Sequence, residues 1–396
     1  MKKVLLRAPL LTQSGYGVHS RQVFEYLYSL NGDKIDLTVE VLNWGRTSWF
    51  VNPDYERGLV GRIMSCSKPI DSKFDVTFQV QLPDEWNKDL GKKNIGITAA
   101  VETDVCNPKW VEACNSMDMV IVPSTFTKEV IENSGKINSN KIKVIPEWFS
   151  NVHVEKEKSH LEKLAFDNFK ISTPLNLMLI GQITGQDSNT DRKNIFYTIK
   201  WFCETFKDRP DIGLVLKTNS GKSTAIDRQI TYNVLSKVIS EVRSGPFPKI
   251  HFIHGHMTSE EIACLYYHPK VTGYLSATRG EGYGLPTIDA AASGLPIITT
   301  DWSGHLEYLK DGLFTPLKYT LQEIPDQKCD KRIFMKGSKW AVVNEFDFKS
   351  KLLNFFDNEQ FLEKRQKAEK LSESVRENFS KRAIMKRYED LFRRFL

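Results

Sequence analysis

Gly280 to Asp289 reads GEGYGLPTID, and its residue types and spacing can do chemistry. Glycines 280, 282 and 284 remove side chains just before a predicted helix over Leu285–Ser293, which carries Pro286 in its first turn. The backbone N–H groups of Gly282, Tyr283, Gly284 and Leu285 can then approach a ligand, and a helix start of this kind attracts phosphate. Glu281 and Asp289 bracket it, one before the helix and one about a turn inside. Carboxylates do not ligate phosphate, but they accept hydrogen bonds from sugar hydroxyls. Phosphate donors between two hydroxyl acceptors suggest a nucleotide-sugar.

Gly-Tyr-Gly also occurs near the start, in SGYGVHSR from Ser14 to Arg21. As a dinucleotide fingerprint it fails: the third glycine is Ser20, and the acidic residue expected about 20 positions on is poorly placed. NSGKST, Asn219 to Thr224, resembles the tail of a phosphate-binding P-loop, yet the glycine required five before Gly221 is Leu216, which excludes an ATPase. In KIHFIHGH only His254 and His256 share a strand face with each other, apart from His251, and no third ligand is evident, so structural histidines and no metal site are expected. WGRTSWF, Trp44 to Phe50, is an aromatic loop able to stack on a sugar or base, or simply to pack.

These residues need elements to hold them. A chain of 396 residues exceeds the roughly 250 to 300 at which one core stops growing, so two domains are expected. Hydrophobic residues at 40% and charged ones at 26% describe an ordinary globular protein, and the net charge of +6 permits an anionic substrate without requiring one. Six cysteines without a CxxC predict reduced, packed thiols. The opening MKKVLLRAPLL reads as a strand rather than a signal peptide, no run approaches the roughly 18 apolar residues of a membrane span, and the cytoplasm is the expected location.

Short β-branched runs alternate with amphipathic stretches, the pattern of βαβ units. KVLLRA, DLTVEVLNW, DVTFQV, NIGITAA, MVIVP and IKVIP, with a helix from His19 to Leu30, predict one doubly wound domain over residues 1–150. A polar stretch, 151–172, reads as an exposed linker. LNLMLIGQI, IGLVLKT, KIHFIHG, VTGYLSA and PIITT, with helices such as Asn194 to Thr205 and Ser259 to Tyr267, predict a second over 173–379. The final 380–396 is a basic amphipathic helix expected to pack back on the first domain, its charge offering a peripheral contact with a membrane surface.

EGYGLPTID followed by AAASGLPIITTDWSGHLEYL resembles the E-x7-E signature of retaining GT-B glycosyltransferases of the family 4 type. IGITAAVETD, MVIVPSTFTKEVI, IKVIPEWFS and DRKNIFYTIKWFCETF resemble further segments of that family in the same order. The resemblance implies two Rossmann-like domains facing a cleft, a nucleotide-diphospho-sugar donor such as a UDP- or GDP-sugar on the second, and an acceptor on the first. It places Glu281 on the sugar hydroxyls and Asp289, where the family has Glu, on the ribose. Lys193, with Arg192 beside it, would meet the diphosphate, with Lys217 as a third contact; the family's arginine after the strand glycine is Gln182 here. Gly15 and Gly17 would let the backbone near the donor phosphates or the acceptor, and His19 or Arg21 could reach in.

The implied reaction is transfer with retention, without a metal, in which the leaving phosphate itself takes the acceptor proton. Arg192, Lys193 and the 282–285 backbone would stabilise the charge growing on the diphosphate. Glu102 and Asp104 either orient the acceptor or donor, or cap the next helix. No DxD pair stands at a strand end, as the other major glycosyltransferase fold would need for its metal. An epimerase, a phosphorylase or a non-catalytic sugar-nucleotide binder are the alternatives. The acceptor is left open among a glycan, a lipid-linked glycan, a protein and a nucleic-acid base.

Overall fold

The computed structural model describes residues 1–70, 73–219, 221–393 and 395–396. Ser220 of the NSGKST stretch and Arg394 of the expected 380–396 helix lie outside them. The chain divides into two compact units: unit 1 is Met1–Trp148 with Lys331–Ser338 and Lys381–Leu396, and unit 2 is Phe149–Asp330 with Lys339–Ser380.

Unit 1 is built on a six-stranded sheet of β1 (Lys2–Ala8), β2 (Ile35–Val41), β3 (Phe74–Val80), β4 (Gly91–Ile97), β5 (Met119–Val122) and β6 (Ile142–Val144), in the order β2-β1-β3-β4-β5-β6. All its pairs are parallel. Such sheets are covered on both faces, which is why MVIV of β5 is buried at every residue. Helix Gly15–Tyr28 begins four residues earlier than periodicity placed it, because Ser14 caps it by accepting the Gly17 N–H. The terminal helix, Lys381–Phe392, buries Ile384, Tyr388 and Phe392. Tyr388 stacks on Tyr26 at 5.1 Å and Phe392 meets Phe78 edge-on at 5.0 Å. The face that would enter a membrane is thus the buried one, while Arg382, Lys386 and Arg387 are exposed.

Unit 2 repeats the plan with β7 (Leu175–Ile180), β8 (Ile212–Lys217), β9 (Lys249–Ile253), β10 (Val271–Ser276), β11 (Ile297–Thr300) and β12 (Thr315–Leu317), in the order β12-β11-β10-β7-β8-β9. Its core runs from Leu177, Leu214 and Leu216 on the sheet to Ile199, Phe202 and Phe348 on flanking helices. An antiparallel hairpin, β13 (Tyr319–Glu323) with β14 (Lys339–Val343), was not foreseen. The stretch 151–172 is not an open linker: it forms helices Val152–Glu155 and Lys158–Asn168 in unit 2, and Leu161 and Ala165 pin the second by full burial. Among the described residues no helix is long and apolar enough to cross a membrane.

Candidate active site

In unit 2 the strand order reverses between β7 and β10, and crevices at the carboxyl ends of such switch points are where ligands bind. Both loops that leave these strands carry expected site residues. After β7 the chain turns through Asp191, Arg192 and Lys193 into helix Ile195–Thr205. The Asp191 carboxylate holds that turn, accepting the Thr184 N–H at 3.0 Å, the Thr184 hydroxyl at 2.9 Å and the Ile195 N–H at 2.7 Å. Asn194, left-handed at φ 56°, donates its amide to the Ala277 carbonyl oxygen at 3.0 Å. The Arg279 N–H donates to the Arg192 carbonyl oxygen at 2.8 Å. The two loops are therefore stitched together through their backbones.

Arg192, Lys193 and Glu281 meet at this seam. Lys193 Nζ lies 2.6 Å and 2.7 Å from the two Glu281 oxygens. Arg192 reaches Glu281 at 3.4 Å and the Gly280 carbonyl oxygen at 2.6 Å. Thr278 donates its hydroxyl to Glu281 at 2.9 Å, and the Glu281 N–H donates to Ser303 Oγ at 2.9 Å. Burial alone would push this carboxyl up, but Lys193 and then Arg192 outweigh it and hold it down at about 2. Both carboxylate oxygens thus point inward to cations.

Helix Leu285–Ser293 starts from Gly284, whose φ of +92° suits glycine. A Cβ there would also lie 3.0 Å from Tyr308 Oη. The Tyr308 hydroxyl donates to the Gly284 carbonyl oxygen at 2.7 Å, and its ring meets Tyr283 edge-on at 5.2 Å, so Tyr283 is an internal side chain and only its backbone belongs to the loop surface. Gly282 carries the backbone against Gly304, where a Cβ would overlap the Gly282 carbonyl oxygen.

Asp289 is on the helix but faces another segment of unit 2. Its Oδ1 accepts the Ser150 N–H at 2.8 Å and lies 3.6 Å from His153 Nε2. Burial pushes its carboxyl up to about 7 and the His153 imidazole down to about 3. Lys217 closes β8 with its ammonium on Asn219 and the Gly255 carbonyl oxygen, and Gln182 is exposed. His251 pairs with Thr173 at 2.7 Å, whereas neither ring nitrogen of His254 has a partner. Among the described residues no group of three His, Cys, Asp or Glu could hold a metal ion.

The remaining expected residues are in unit 1. Gly15 is exposed with nothing near its Cβ position, but a Cβ on Gly17 would overlap the Thr12 carbonyl oxygen, so Gly17 serves the approach of helix and loop. His19 is buried 3.9 Å from Glu147, and burial pushes its imidazole down to about 4. Arg21 donates to the Leu10 and Thr12 carbonyl oxygens at 2.9 Å, so it supports the loop that it was expected to reach beyond. Glu102 and Asp104 are half-buried after β4. The next helix, Pro108–Ser116, takes its cap from Asn107, which leaves the capping alternative without a helix to cap.

Sequence reasoning missed Thr278, Arg279 and Ser303. Arg279 is 4% exposed, with its guanidinium on the Asp191 and Ser188 carbonyl oxygens and over the Trp340 ring at 5.2 Å. Its place directly before Gly280-Glu281 was the one available signal. Ser303 holds an unusual φ of +90°, which no pattern of residues announces.

No family model matches the chain, and no curated protein matches it. Solved structures do. HepE of Anabaena, in complex with UDP and glucose, superposes with a TM-score of 0.63 at 11% identity over 100% of both chains. A glycosyltransferase from Rickettsia africae gives 0.65 at 14% identity, over 99% of this chain and 98% of that one. The sucrose-phosphate synthase of Thermosynechococcus elongatus gives 0.63 at 14% identity, over 100% and 99%. At these identities the likeness shows the fold: the chain has the GT-B architecture of two Rossmann-like α/β domains.

Proposed function

We propose that this chain is a retaining glycosyltransferase that moves a sugar from a nucleotide-diphospho-sugar to an acceptor held by unit 1. One observation carries the reading: the half-buried cations Lys193 and Arg192 paired on the buried Glu281 at the switch point of unit 2, against the start of a helix. The complexes of HepE with UDP and with UDP-glucose favour UDP as the nucleotide.

As the bond between the anomeric carbon and the diphosphate breaks, negative charge grows on the phosphate oxygens and the carbon becomes cation-like. Lys193 and Arg192 present fixed positive charge there, and the 282–285 N–H groups add dipoles. Glu281 holds both cations before the donor arrives, so little reorganisation is needed; Lys193, Arg192 and Thr278 occupy its acceptor sites, and a sugar hydroxyl bonds to it by taking the place of one of them. Asp289 keeps one oxygen for the ribose. The leaving phosphate takes the acceptor proton, so no separate base is required, and Glu102 and Asp104 orient the acceptor.

Lys193→Met should lower transfer from UDP-sugars about 10²- to 10³-fold, the usual effect of removing one group that stabilises developing charge. A chelator should leave the rate unchanged, because protein cations supply that charge. The checks are UDP release with and without acceptor and the anomeric configuration of the product by NMR. Release independent of acceptor, an inverted product, or full activity in Lys193→Met would each defeat the reading.

A further inference from the structure

His153 is a buried titratable group of unit 2 that the transfer step leaves unused. Its side chain is fully enclosed, and the ring meets Tyr266 edge-on at 5.6 Å. Tyr266 is itself tied to the helix that carries Asp289, donating its hydroxyl to the Pro286 carbonyl oxygen at 3.0 Å. His153 Nδ1 lies 3.1 Å from the Tyr267 hydroxyl, and Arg376 Nη2 donates to that hydroxyl at 3.3 Å. Arg376 comes from helix Asn358–Asn378. Its Nε donates to the Ala292 carbonyl oxygen at 2.8 Å, and Ser372 Oγ donates to the same oxygen at 2.9 Å. The series Arg376–Tyr267–His153 is thereby fastened to helix Leu285–Ser293, on which Asp289 stands.

This series fixes which imidazole nitrogen carries the proton. Arginine is a donor only, so the Tyr267 hydroxyl gives a lone pair to Arg376 and turns its own proton on Nδ1. The imidazole proton then sits on Nε2. Burial, reinforced by the Arg376 charge, keeps the ring neutral. Among the described residues Nε2 has no hydrogen-bond partner, and it stands 3.6 Å from Asp289 Oδ1, just beyond hydrogen-bond reach. Facing it, Asp289 accepts the Ser150 N–H at 2.8 Å, and even with that support its carboxyl ionises only near 7. An orphaned donor thus looks at a carboxyl group that needs donors. A ribose hydroxyl bonds more strongly to an ionised carboxylate than to a neutral acid, so donor binding drives Asp289 to ionise. The ionised form draws in the Nε2–H, and both unsatisfied groups are relieved in one step.

We propose that His153 is a positioning residue: held as the Nε2–H tautomer by Tyr267 and Arg376, it closes on Asp289 Oδ1 when the donor's ribose hydroxyls engage the other carboxylate oxygen. It thereby sets the preference of the site for a hydroxylated pentose. This rests on the reading of Asp289 as the ribose contact.

The test compares, by titration calorimetry, the affinity of the full chain for UDP and for dideoxy-UDP, which lacks both ribose hydroxyls. Wild-type protein should prefer UDP by on the order of 100-fold. His153→Leu should cut that preference about tenfold while leaving the affinity for dideoxy-UDP unchanged. Tyr267→Phe, which removes one hydroxyl, should cut it several-fold, and His153→Gln, with an amide N–H at the ε position, should keep most of it. A packing role alone would weaken both nucleotides together or neither. Proton–nitrogen NMR of the histidine rings, assigned with His153→Gln, should show His153 neutral and protonated on Nε2 in the wild type, with a larger share on Nδ1 in Tyr267→Phe. Thermal midpoints establish that each variant is folded, and Tyr267→Phe decides if His153→Leu fails to fold. An unchanged preference in the folded variants, or a wild-type His153 protonated on Nδ1, would overturn the proposal and leave the transferase reading standing. Equal binding of the two nucleotides by the wild-type protein would remove the ribose contact and the proposal together. No binding of UDP at all would remove the donor reading as well.

Discussion

Lys217 ends β8 with its ammonium 2.8 Å from Asn219 Oδ1 and 2.9 Å from the Gly255 carbonyl oxygen, both uncharged acceptors. Burial brings its pKa down to about 8. A bound diphosphate favours the charged form, so UDP affinity should fall as pH rises through about 8; Lys217→Met should weaken binding about tenfold at pH 7 and remove that fall, read by titration calorimetry. Asp289 shows the opposite case. The unfolded carboxyl ionises near 3.8, whereas the folded one keeps its proton until about 7. Stability therefore falls as pH rises between those values, and the ionised form remains a cost above them. Asp289→Asn keeps an acceptor for the Ser150 N–H and mimics the protonated form. It should raise the melting temperature by ~2 °C or more at pH 8 and have little effect near pH 4. His153, 3.6 Å away, is pushed down to about 3 by burial, so it stays neutral in the folded chain over this range and its titration in the unfolded chain is common to both proteins. An unchanged difference across that range would show that Asp289 is ionised in the folded chain.

The two Gly-Tyr-Gly elements look alike in sequence and are built for different reasons. In EGYGLPTID, Gly284 is required by a φ of +92° at the mouth of helix Leu285–Ser293. In SGYGVHSR the glycines lie inside the first turn of helix Gly15–Tyr28, and only Gly17 is confined, by the Thr12 carbonyl. Gly17→Ala should lower the melting temperature by ~4 °C or more, while Gly15→Ala, at an open helical position, should be neutral or slightly stabilising. Equal effects would mean that the contact with Thr12 is not what selects glycine. Spacing revealed that both stretches lead into helices, because side-chain removal and capping residues leave marks in the sequence. It did not reveal which glycine faces space and which faces a carbonyl, since that depends on a loop packed from outside the stretch.

At the scale of the molecule, unit 1 is assembled from three separate stretches of chain. Arg332 joins Asp84 at 2.7 Å and Glu85 at 2.5 Å, Phe334 packs on the core that contains Trp110, and Lys381 meets Glu25 at 2.7 Å. Ending the chain at Ser380 strips Tyr388 and Phe392 from Tyr26 and Phe78, about 1.5–3 kcal/mol for each buried ring. Calorimetry should then show the unit 1 transition lowered by ~5 °C or more with the unit 2 transition kept; a uniform shift of both would argue that the units unfold as one. The sequence by itself determined the two parallel sheets, because alternating β-branched runs and amphipathic helices have few other ways to bury their apolar faces. It also placed Arg192, Lys193 and Glu281 in loops at strand ends. Only the tertiary structure decided that these three side chains meet, that Asp289 turns to Ser150, and that Lys331–Ser338 returns to unit 1. Those outcomes depend on contacts between residues far apart in the chain, where spacing along the sequence carries no information about distance in space.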